Sequence, residues 1–370
     1  MPLAFVADPR GAPAAATEAR WIEAGGLAPF DLHALYHGLA YAQAPDAPPV
    51  VVWARPGAPH ISIGPHQDAA LELALDGQGR AAGLEVVRRE TGGGSVYVDP
   101  DQWVFAFVIP RDHWRGRPTD LYARLLPAVE AAYADLGLPV SRQGANDLRL
   151  GARKVGGTGM ATLGSALVLV GSFPVRFPAE RFAAAVRCPS GACRAFLEAA
   201  VAEGMVSLAD LGPPPSGARL ARALRRGVAR ALGWVLHSDD PGAGEEAAIR
   251  EARSELLDPE WRWDPLGRRA VAEGIKLKGD AYLTERVLPG LGRVTVQTEA
   301  GRIGRLDLEG VDGDRIAACI GAPVEPDPLA RCLGGPEAPA WAEAVCAVAV
   351  RSEEEAARLR PQSTREGEEP

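Results

Sequence analysis

Residues 91–99 read TGGGSVYVD, and this stretch separates a charged segment, 85–90, from an apolar segment, 101–110. Three consecutive glycines carry no side chains, so another group can approach the backbone closely and meet bare N–H groups. The run matches neither the GxxxxGK[ST] phosphate loop nor the GxGxxG dinucleotide fingerprint. It therefore predicts either a place where the backbone binds an anion, such as a phosphate or an adenylate, or a simple turn between two strands.

The segments around this stretch predict more strands than helices. Apolar or β-branched runs predict strands at 50–56, 60–64, 101–110 and 166–173, and two more within 146–157. The first two resemble a hairpin, and the last two would be joined at Gly151. One helix is expected in 118–137, where apolar residues recur on one face and a glycine follows. Because strands and helices do not alternate, we expect an α+β fold with mixed, mostly antiparallel sheets and helices packed on one side.

Composition indicates an ordinary globular chain. The 370 residues are 47% hydrophobic and 24% charged, with a net charge of −8, which argues against nucleic-acid binding and membrane-surface binding. No apolar run is long enough for a membrane span. The five cysteines include one C-x4-C pair, Cys188 and Cys193, but no second pair completes a zinc site. An odd number of scattered cysteines favours a reducing compartment, and we expect a cytoplasmic protein.

Two Pro/Gly-rich seams, at 211–220 and 238–246, suggest where the domains end. Residues 292–310 alternate apolar and polar residues around a Glu-Ala-Gly turn and predict a hairpin within a second domain. The predicted organisation is a flexible tail at 1–20, a main domain at 21–210, a linker with a basic helix at 211–244, a small α+β accessory domain at 245–325, and a partly disordered extension at 326–370.

A second candidate constellation lies in GANDLRLGARKVGGTGM, residues 144–160. Lys154 precedes Gly156 and Gly157, so its ammonium group could reach an anion held against bare backbone. Asn146 and Asp147 stand eight and seven residues earlier, and Asp147 could either support a metal-bound nucleotide or cap a turn. Upstream of the glycines, Arg88 and Arg89 could bind phosphate or carboxylate. Adjacent strand residues face opposite ways, so we expect at most one of this pair in a site.

Together the two constellations resemble the lipoate–protein ligase family, within the biotin/lipoate ligase superfamily. That family carries R-R-x-[ST]-G-G-G-x-V-x-H-D, then N-D, then R-K-[IV]-x-G. The chain has RRETGGGSVYVD at 88–99, Asn146-Asp147, and RKVGG at 153–157. Ile63-Gly64-Pro65-His66-Gln67 is similar to the family's I-G-x-x-Q turn. Residues 273–310 are similar to the accessory domain of some members. The resemblance covers about 21–325.

The resemblance implies a two-step acyl transfer in the 21–210 domain. ATP, with Mg²⁺, and a fatty acid such as lipoate or octanoate would form an acyl-adenylate and pyrophosphate. The acyl group would then pass to one lysine of a lipoyl carrier domain. The carrier would be a 2-oxoacid dehydrogenase acyltransferase subunit, a glycine-cleavage H-like protein or a specialised lipoate-binding protein. Such chemistry develops negative charge, so it needs fixed N–H donors and a cation.

The resemblance also assigns roles to residues. Lys154 would be the catalytic residue, contacting the acyl carboxylate and the α-phosphate. Asp147 would support Mg²⁺ through the nucleotide. The nucleotide or acyl-adenylate would be bound by Arg89, Thr91, Gly92, Gly93, Gly94, Ser95, Val96, Tyr97, Asn146, Asp147, Gly156 and Gly157.

The chain departs from the family pattern in two places. Val98 stands where the pattern has histidine, and Thr162-Leu163-Gly164-Ser165 replaces the family's H-H-G-T. Two alternatives therefore stand beside the ATP-dependent ligase. One is an ATP-independent octanoyltransferase of the same fold, which would form an acyl-thioester at a cysteine. The other is a non-catalytic acyl-carrier-binding paralogue. The glycine pattern of a biotin ligase, G-R-G-R-x-G-R-x-W, is absent.

Overall fold

The computed structural model describes residues 17–114, 116–144, 146–266, 274–278 and 281–350. These residues form two compact units. Unit 1 consists of the described parts of 1–67, 76–178 and 203–266, and unit 2 of the described parts of 68–75, 179–202 and 267–370. Within the described parts of the chain, none of the helices combines the length and the apolar character that a membrane span needs.

The strands, in chain order, are β1 (Thr17–Leu27), β2 (Val50–Pro56), β3 (His60–Ile63), β4 (Glu85–Arg88), β5 (Val96–Val98), β6 (Gln102–Pro110), β7 (Ser141–Gln143), β8 (Asp147–Leu150), β9 (Arg153–Leu163), β10 (Ala166–Pro174), β11 (Trp234–Asp239), β12 (Gly274–Lys278), β13 (Ala281–Leu288), β14 (Gly292–Glu299) and β15 (Arg302–Leu308).

The α-helices are α1 (Pro29–Tyr41), α2 (Ala69–Glu72), α3 (Leu121–Asp135), α4 (Ala179–Ala185), α5 (Gly191–Gly204), α6 (Gly217–Leu232), α7 (Ala243–Leu257), α8 (Pro259–Trp263), α9 (Gly313–Ala317), α10 (Pro326–Leu333) and α11 (Ala338–Val348). Short 3-10 helices occupy Arg111–His113, Pro118–Asp120 and Leu208–Leu211.

Eight of the described strands of unit 1 form one sheet in the order β11-β1-β2-β6-β10-β9-β8-β7. β1 runs parallel to both of its neighbours, and the other pairs are antiparallel. A smaller sheet has the order β4-β3-β5, with β3 parallel to β4 and antiparallel to β5. The α+β class with antiparallel-rich sheets, predicted from the sequence, is confirmed.

Helices pack against both faces of the large sheet, where the sequence predicted one. Val51 and Trp53 of β2 belong to a core that includes α3 and α6, whereas Val50 and Val52 belong to a core that includes α1. The central strands carry apolar side chains on both faces of the sheet, so helices must cover each face.

Unit 2 contains an antiparallel meander, β12-β13-β14-β15. The predicted hairpin of 292–310 is the β14–β15 pair, and Ala300 and Gly301 take positive φ values of 49° and 72° at its turn. The core against β14 and β15 includes Leu329 of α10 and Trp341 of α11. A second core joins Leu283 of β13 to α4 and α5, the segment inside 179–202.

The structural division differs from the predicted one at both ends of the chain. Residues 17–20, predicted as tail, begin β1, because they pair with β11. Residues 326–350, predicted as extension, contribute two core helices to unit 2. The rest of the predicted tail, 1–16, and residues 351–370 lie outside the described residues.

It also differs at the two predicted seams. Residues 211–244 are not a linker in the structure, since α6 buries Leu220 and Leu224 against α3 and β11 extends the large sheet. α7 and α8, placed in the accessory domain by the sequence, belong to unit 1, where Ala252 and Leu256 pack with Phe30 of α1. Residues 179–202, placed in the main domain, belong to unit 2.

The predicted hairpin of 50–56 and 60–64 is wrong. β2 pairs with β1 and β6 in the large sheet, and β3 pairs with β4 and β5 in the small one. The chain passes from the large sheet to the small one at the Pro-Gly-Ala-Pro sequence, 56–59. Residues 50–54 are buried throughout, so β2 needs a neighbouring strand on each side, and β1 and β6 fill both places.

Candidate active site

Arg88, the first arginine of the pair before the glycines, organises the neighbouring turn. It is fully buried, and its Nη1 donates to the carbonyl oxygens of Gly64, Pro65 and Gln67 at 3.1, 3.1 and 2.7 Å. Gln67 in turn accepts from Gly64 N at 2.8 Å and donates to Ser95 Oγ at 3.0 Å. The I-G-x-x-Q turn is thereby tied to the residue that follows the three glycines.

Arg89 holds the glycine segment, which we define as residues 91–94. Its Nη2 donates to Gly92 O at 3.1 Å and to Gly94 O at 2.8 Å, and its Nη1 donates to Ser62 Oγ at 3.2 Å. Burial lowers the pKa of Arg89, but a guanidinium stays charged in proteins. Because two carbonyl oxygens of the segment are turned towards this cation, they do not repel an anion on the opposite side of the segment.

Close packing explains some of the glycines here but not Gly94. A Cβ on Gly159 of β9 would collide with Gly92 O, and a Cβ on Gly64 would collide with Gly93 O. Gly93 itself has φ = +107°, which side chains rarely adopt. Gly94 is exposed, has an ordinary φ, and a Cβ there would meet no described atom within 4 Å. No described neighbour therefore requires a glycine at 94. This is the pattern expected where a ligand, and not the protein, comes close to the backbone.

The lysine segment, residues 153–157, begins β9. Lys154 Nζ lies 2.7 Å from Asp147 Oδ1 on the neighbouring β8, and both side chains are largely but not fully buried. A Cβ on Gly157 would lie 2.9 Å from Nζ, so this glycine makes room for the ammonium group. Gly156 is close-packed, since a Cβ there would lie 3.2 Å from Ser172 O.

Lys154 extends along β9 towards the glycine segment. Its Nζ reaches Gly157, and Gly159, two residues further on, packs against Gly92. Gly92 N also donates to Met160 O at 3.1 Å. At the usual strand rise, two residues span about 7 Å. The structure therefore brings the two predicted constellations to one strand, with the cation and the bare backbone separated by roughly the size of an acyl-phosphate group.

Asn146 and Asp147 have different surroundings. Asn146 Nδ2 donates to Thr158 O at 2.9 Å, and Asn146 O accepts from Thr158 Oγ1 at 3.0 Å, so this residue joins the start of β8 to the middle of β9. Asp147 lies between Lys154 and Arg149, at 2.7 and 4.0 Å. The described residues contain no cluster of three or more His, Cys, Asp or Glu side chains that could hold a metal. Asp147 thus fits Mg²⁺ only if phosphate oxygens of a nucleotide supply most of the ligands.

The remaining residues predicted to contact the nucleotide differ in their exposure. Val96 is exposed, at 39%, whereas Thr91 and Tyr97 are fully buried. Any contact that Tyr97 makes with a nucleotide would therefore use its backbone. Val98, where the family pattern has histidine, pairs directly with His60 across β3 and β5. An imidazole is thus present next to the position that has lost one.

The sequence reasoning missed a group of buried histidines beside this position. His33 and His37, on α1, and His60 are all at least 95% buried. His33 Nε2 lies 3.2 Å from His60 Nε2, and His33 Nδ1 lies 2.8 Å from the Tyr36 hydroxyl. The spacing of 33, 36 and 37 places three polar side chains on one side of a helix whose other buried residues are apolar, and this signal could have identified two of the histidines.

Residues 33–229 match the family model of the lipoyl protein ligase A/B catalytic domain. Because this match covers more than half of the chain, the protein belongs to the lipoate–protein ligase family.

Curated relatives include both ligases and a transferase. The chain is 32% identical over 109 residues to lipoate–protein ligase 2 of Staphylococcus aureus, covering 28% of this chain and 30% of the relative. It is 30% identical over 145 residues to a putative lipoate-protein ligase A of Aeropyrum pernix, covering 38% and 50%. It is also 26% identical over 231 residues to octanoyltransferase LipM of Kyrpidia tusciae, covering 55% and 83%. The chain thus matches half or less of the length of these two ligase relatives.

Solved structures confirm the fold. The bi-partite lipoate protein ligase of Thermoplasma acidophilum, studied with its E2 lipoyl domain, has a TM-score of 0.61 at 22% identity, covering 68% of this chain and 98% of that one. Lipoate-protein ligase A bound with ATP has a TM-score of 0.58 at 22% identity, covering 67% and 100%. Plasmodium falciparum LipL1 in complex with lipoate has a TM-score of 0.53 at 14% identity, covering 89% and 98%.

Proposed function

We propose that the protein is an ATP-dependent ligase that activates lipoate or octanoate as an acyl-adenylate and transfers the acyl group to a lysine of a lipoyl carrier domain. The observation that supports this most is the pairing of the glycine segment with Lys154 along β9. A bare backbone whose carbonyls face Arg89 and a compact ammonium group 2.7 Å from a single carboxylate suit a reaction that concentrates negative charge.

In the first step, a carboxylate oxygen of the acid attacks the α-phosphorus of ATP, and the bond from that phosphorus to the bridging oxygen of pyrophosphate breaks. Lys154 would leave Asp147, or be shared with it, to contact the carboxylate and the α-phosphate. Backbone N–H groups of Gly92–Gly94 would donate to the phosphate oxygens, and Arg89 would keep those groups in place. Mg²⁺, bound to the phosphates, would offset further charge, with Asp147 as its protein contact.

In the second step, a neutral carrier lysine attacks the carbonyl carbon of the acyl-adenylate. The new C–N bond replaces the C–O bond to AMP, and the nitrogen gives up a proton as the amide forms. The same Lys154 ammonium would stabilise the charge that develops on the carbonyl and on the departing phosphate. The E2 lipoyl domain studied with the T. acidophilum ligase supports a lipoyl-domain partner of this kind.

The K. tusciae relative makes octanoyltransfer the second candidate, because 83% of that transferase is matched. An acyl-thioester mechanism needs a thiol at the acyl site. All five cysteines lie in or pack against two hydrophobic cores, with Cys193 and Cys319 almost fully buried, and thiols in such surroundings are usually inert, which favours the ligase.

The test measures the mass of a recombinant lipoyl domain after incubation with the protein under two conditions. With ATP, Mg²⁺ and free octanoate or lipoate, we expect the mass to rise by one acyl group. With an octanoyl carrier thioester and no ATP, we expect no change. A double Cys188→Ser, Cys193→Ser variant should keep the first activity. The reverse result, with the activity lost in the cysteine variant, would establish the transferase.

A further inference from the structure

A layer of buried polar side chains adjoins the glycine segment and includes its first residue, Thr91. It comprises His33, Tyr36 and His37 of α1, His60 and Ser62 of β3, and Thr91, each at most 5% exposed. Arg89 connects the two regions, because the same guanidinium group donates to Ser62 and to the glycine carbonyls. A pocket for a plain alkyl chain needs apolar walls, and these polar side chains do not provide them.

Part of the layer is a closed hydrogen-bonded chain. His60 Nδ1 lies 3.2 Å from Ala58 O, which can only accept, so His60 carries its proton on Nδ1 and leaves Nε2 bare. His33 Nε2 must then donate to His60 Nε2, and His33 Nδ1 accepts from the Tyr36 hydroxyl. All three groups are neutral and satisfied in this arrangement. They form a rigid wall and leave none of their ring nitrogens available.

His37 and Thr91 are different. Among the residues that the structure describes, neither ring nitrogen of His37 has a hydrogen-bond partner, and neither does Thr91 Oγ1, although all three atoms are buried. Glu90 Oε1 is 3.7 Å from His37 Nδ1, too far for a hydrogen bond, and the Glu90 carboxylate already accepts from Tyr41. The Thr91 hydroxyl is near Tyr36 but makes no hydrogen bond of normal geometry with it.

Such unpaired groups carry a cost. Leaving a buried donor or acceptor unsatisfied is destabilising, so an unpaired imidazole in a native protein indicates a missing partner. Burial, with a smaller contribution from the charge of Arg89, lowers the pKa of His37 to about 3. The ring is therefore neutral and presents one N–H donor and one nitrogen acceptor, which match a hydroxyl group or a pair of oxygens.

Both unpaired residues adjoin the candidate acid site. Thr91 is covalently joined to Gly92, and His37 lies beside Glu90, the residue that precedes the glycine segment. If the carboxylate of an acid is held by Lys154 and the glycine backbone, a chain that turns to the Thr91 side of the segment reaches the polar layer.

We propose that His37 and Thr91 bind an oxygen function, a hydroxyl or oxo group, on the chain of the acid, and that the protein activates such an oxygenated medium-chain acid in preference to octanoate or lipoate. This inference rests on the ligase function proposed above and specifies its substrate class. Discrimination by a hydrogen-bonding site is large, because the analogue without the oxygen leaves the protein groups unpaired.

The experiment measures ATP–pyrophosphate exchange by the full-length protein with octanoate, lipoate, hydroxyoctanoates and oxo-octanoates substituted at successive chain positions. We expect kcat/KM for at least one oxygenated acid to exceed that for octanoate by about tenfold or more. His37→Leu should reduce this ratio to near one or invert it. His237→Leu, at an exposed histidine of β11, is the matched control and should leave the ratio unchanged.

A second variant covers the case in which His37→Leu does not fold. Thr91→Val keeps the shape of the side chain and removes only the unpaired hydroxyl, so it should raise Tm while reducing the preference for the oxygenated acid several-fold. Preference for octanoate or lipoate in the wild type, with a ratio that neither variant changes, would overturn the inference and leave the ligase function standing. No exchange with any acid would overturn both.

Discussion

The glycine segment and the lysine segment lie along the same strand but are built in opposite ways. Residues 91–94 are fixed from beneath by a buried guanidinium, and β9 packs against them with no room for a Cβ at Gly159. Among the described residues, the Lys154 ammonium group has one partner, Asp147, and it has partial access to solvent. In the proposed reaction, the donors that must not reorganise would be the rigidly held ones, and the charge that must change partners would be the one held by an exchangeable contact.

Removing the exchangeable charge should give the largest effect on activity. Lys154→Ala should reduce ATP–pyrophosphate exchange by about a thousandfold, since a preorganised charge contributes several kcal/mol to the transition state. Stability should fall by no more than about 1 kcal/mol, because the lost ion pair is partly exposed. Exchange rates and urea unfolding measure the two quantities, with Arg153→Ala as the neighbouring control. Wild-type exchange in Lys154→Ala would end the ligase proposal.

Adding one methyl group tests the rigid side of the comparison. Gly94→Ala meets no described atom, so Tm should stay within experimental error while ATP affinity falls by about tenfold or more, through contact with the ligand. Gly159→Ala would collide with Gly92 O and should instead lower stability by about 2–4 kcal/mol. Calorimetric titration with ATP and thermal unfolding measure both variants. Unchanged affinity in Gly94→Ala would mean that ligand does not approach this backbone.

The buried layer behind the glycine segment should make the fold sensitive to acid. Burial lowers the pKa of His60 to about 4, and in the unfolded chain it returns to about 6.5. Between these values the unfolded state binds more protons, so stability falls as the pH drops from about 6.5 to about 4.

The loss from His60 should approach 3 kcal/mol at the acid end of that window. Urea unfolding at pH 7.5, 5.5 and 4.5 measures it, and His60→Gln should flatten the dependence. An equally steep pH dependence in His60→Gln would place the acid sensitivity elsewhere.

Asp147 should give the smallest effect. Asp147→Asn removes the carboxylate beside Lys154 but keeps the shape of the side chain, so stability should change by less than about 1 kcal/mol. We expect the KM for MgATP to change only a few-fold, because the lysine gains a substrate partner when ligand binds. Exchange assays at varied Mg²⁺ concentration measure this. A large rise in the Mg²⁺ requirement would instead make Asp147 a principal metal ligand.

Sequence predicted the features of this fold that depend on neighbouring residues. The turn at Gly151 has φ = +60° and joins β8 to β9 as expected, and the predicted helix in 118–137 is α3. The glycine and lysine segments were found for the same reason, since glycine runs and motif spacing are local signals. Their meeting along β9 was not visible, because it depends on the pairing of Gly92 with Met160, 68 positions later in the sequence.

Features that depend on distant pairing were missed. β1 pairs with β11 at the edge of the large sheet, and Arg20 binds Asp239 and Glu245 across more than 200 residues. The seam at 238–246 therefore has the composition of a linker, but in the structure it is attached to the edge of that sheet. The buried histidines escaped for a related reason. His33 and His60 come within hydrogen-bonding distance only when α1 and β3 meet, and 27 positions separate them in the sequence, more than one helix or strand spans here.

The order in which the chain visits its two units has a consequence for how such a protein can be divided. The chain passes from one unit to the other after residues 67, 75, 178, 202 and 266. The segment 267–370 lacks Ala183 and Leu197, which cover Leu283, and also the bridge from Leu73 to Val186. A gene fission at residue 266 would therefore leave the second product without part of its core. The first product would keep segments 68–75 and 179–202, which would then lack the rest of unit 2. A working two-chain version would need those two segments transferred or rebuilt. The same holds for a circular permutant whose new ends separate them from 281–350.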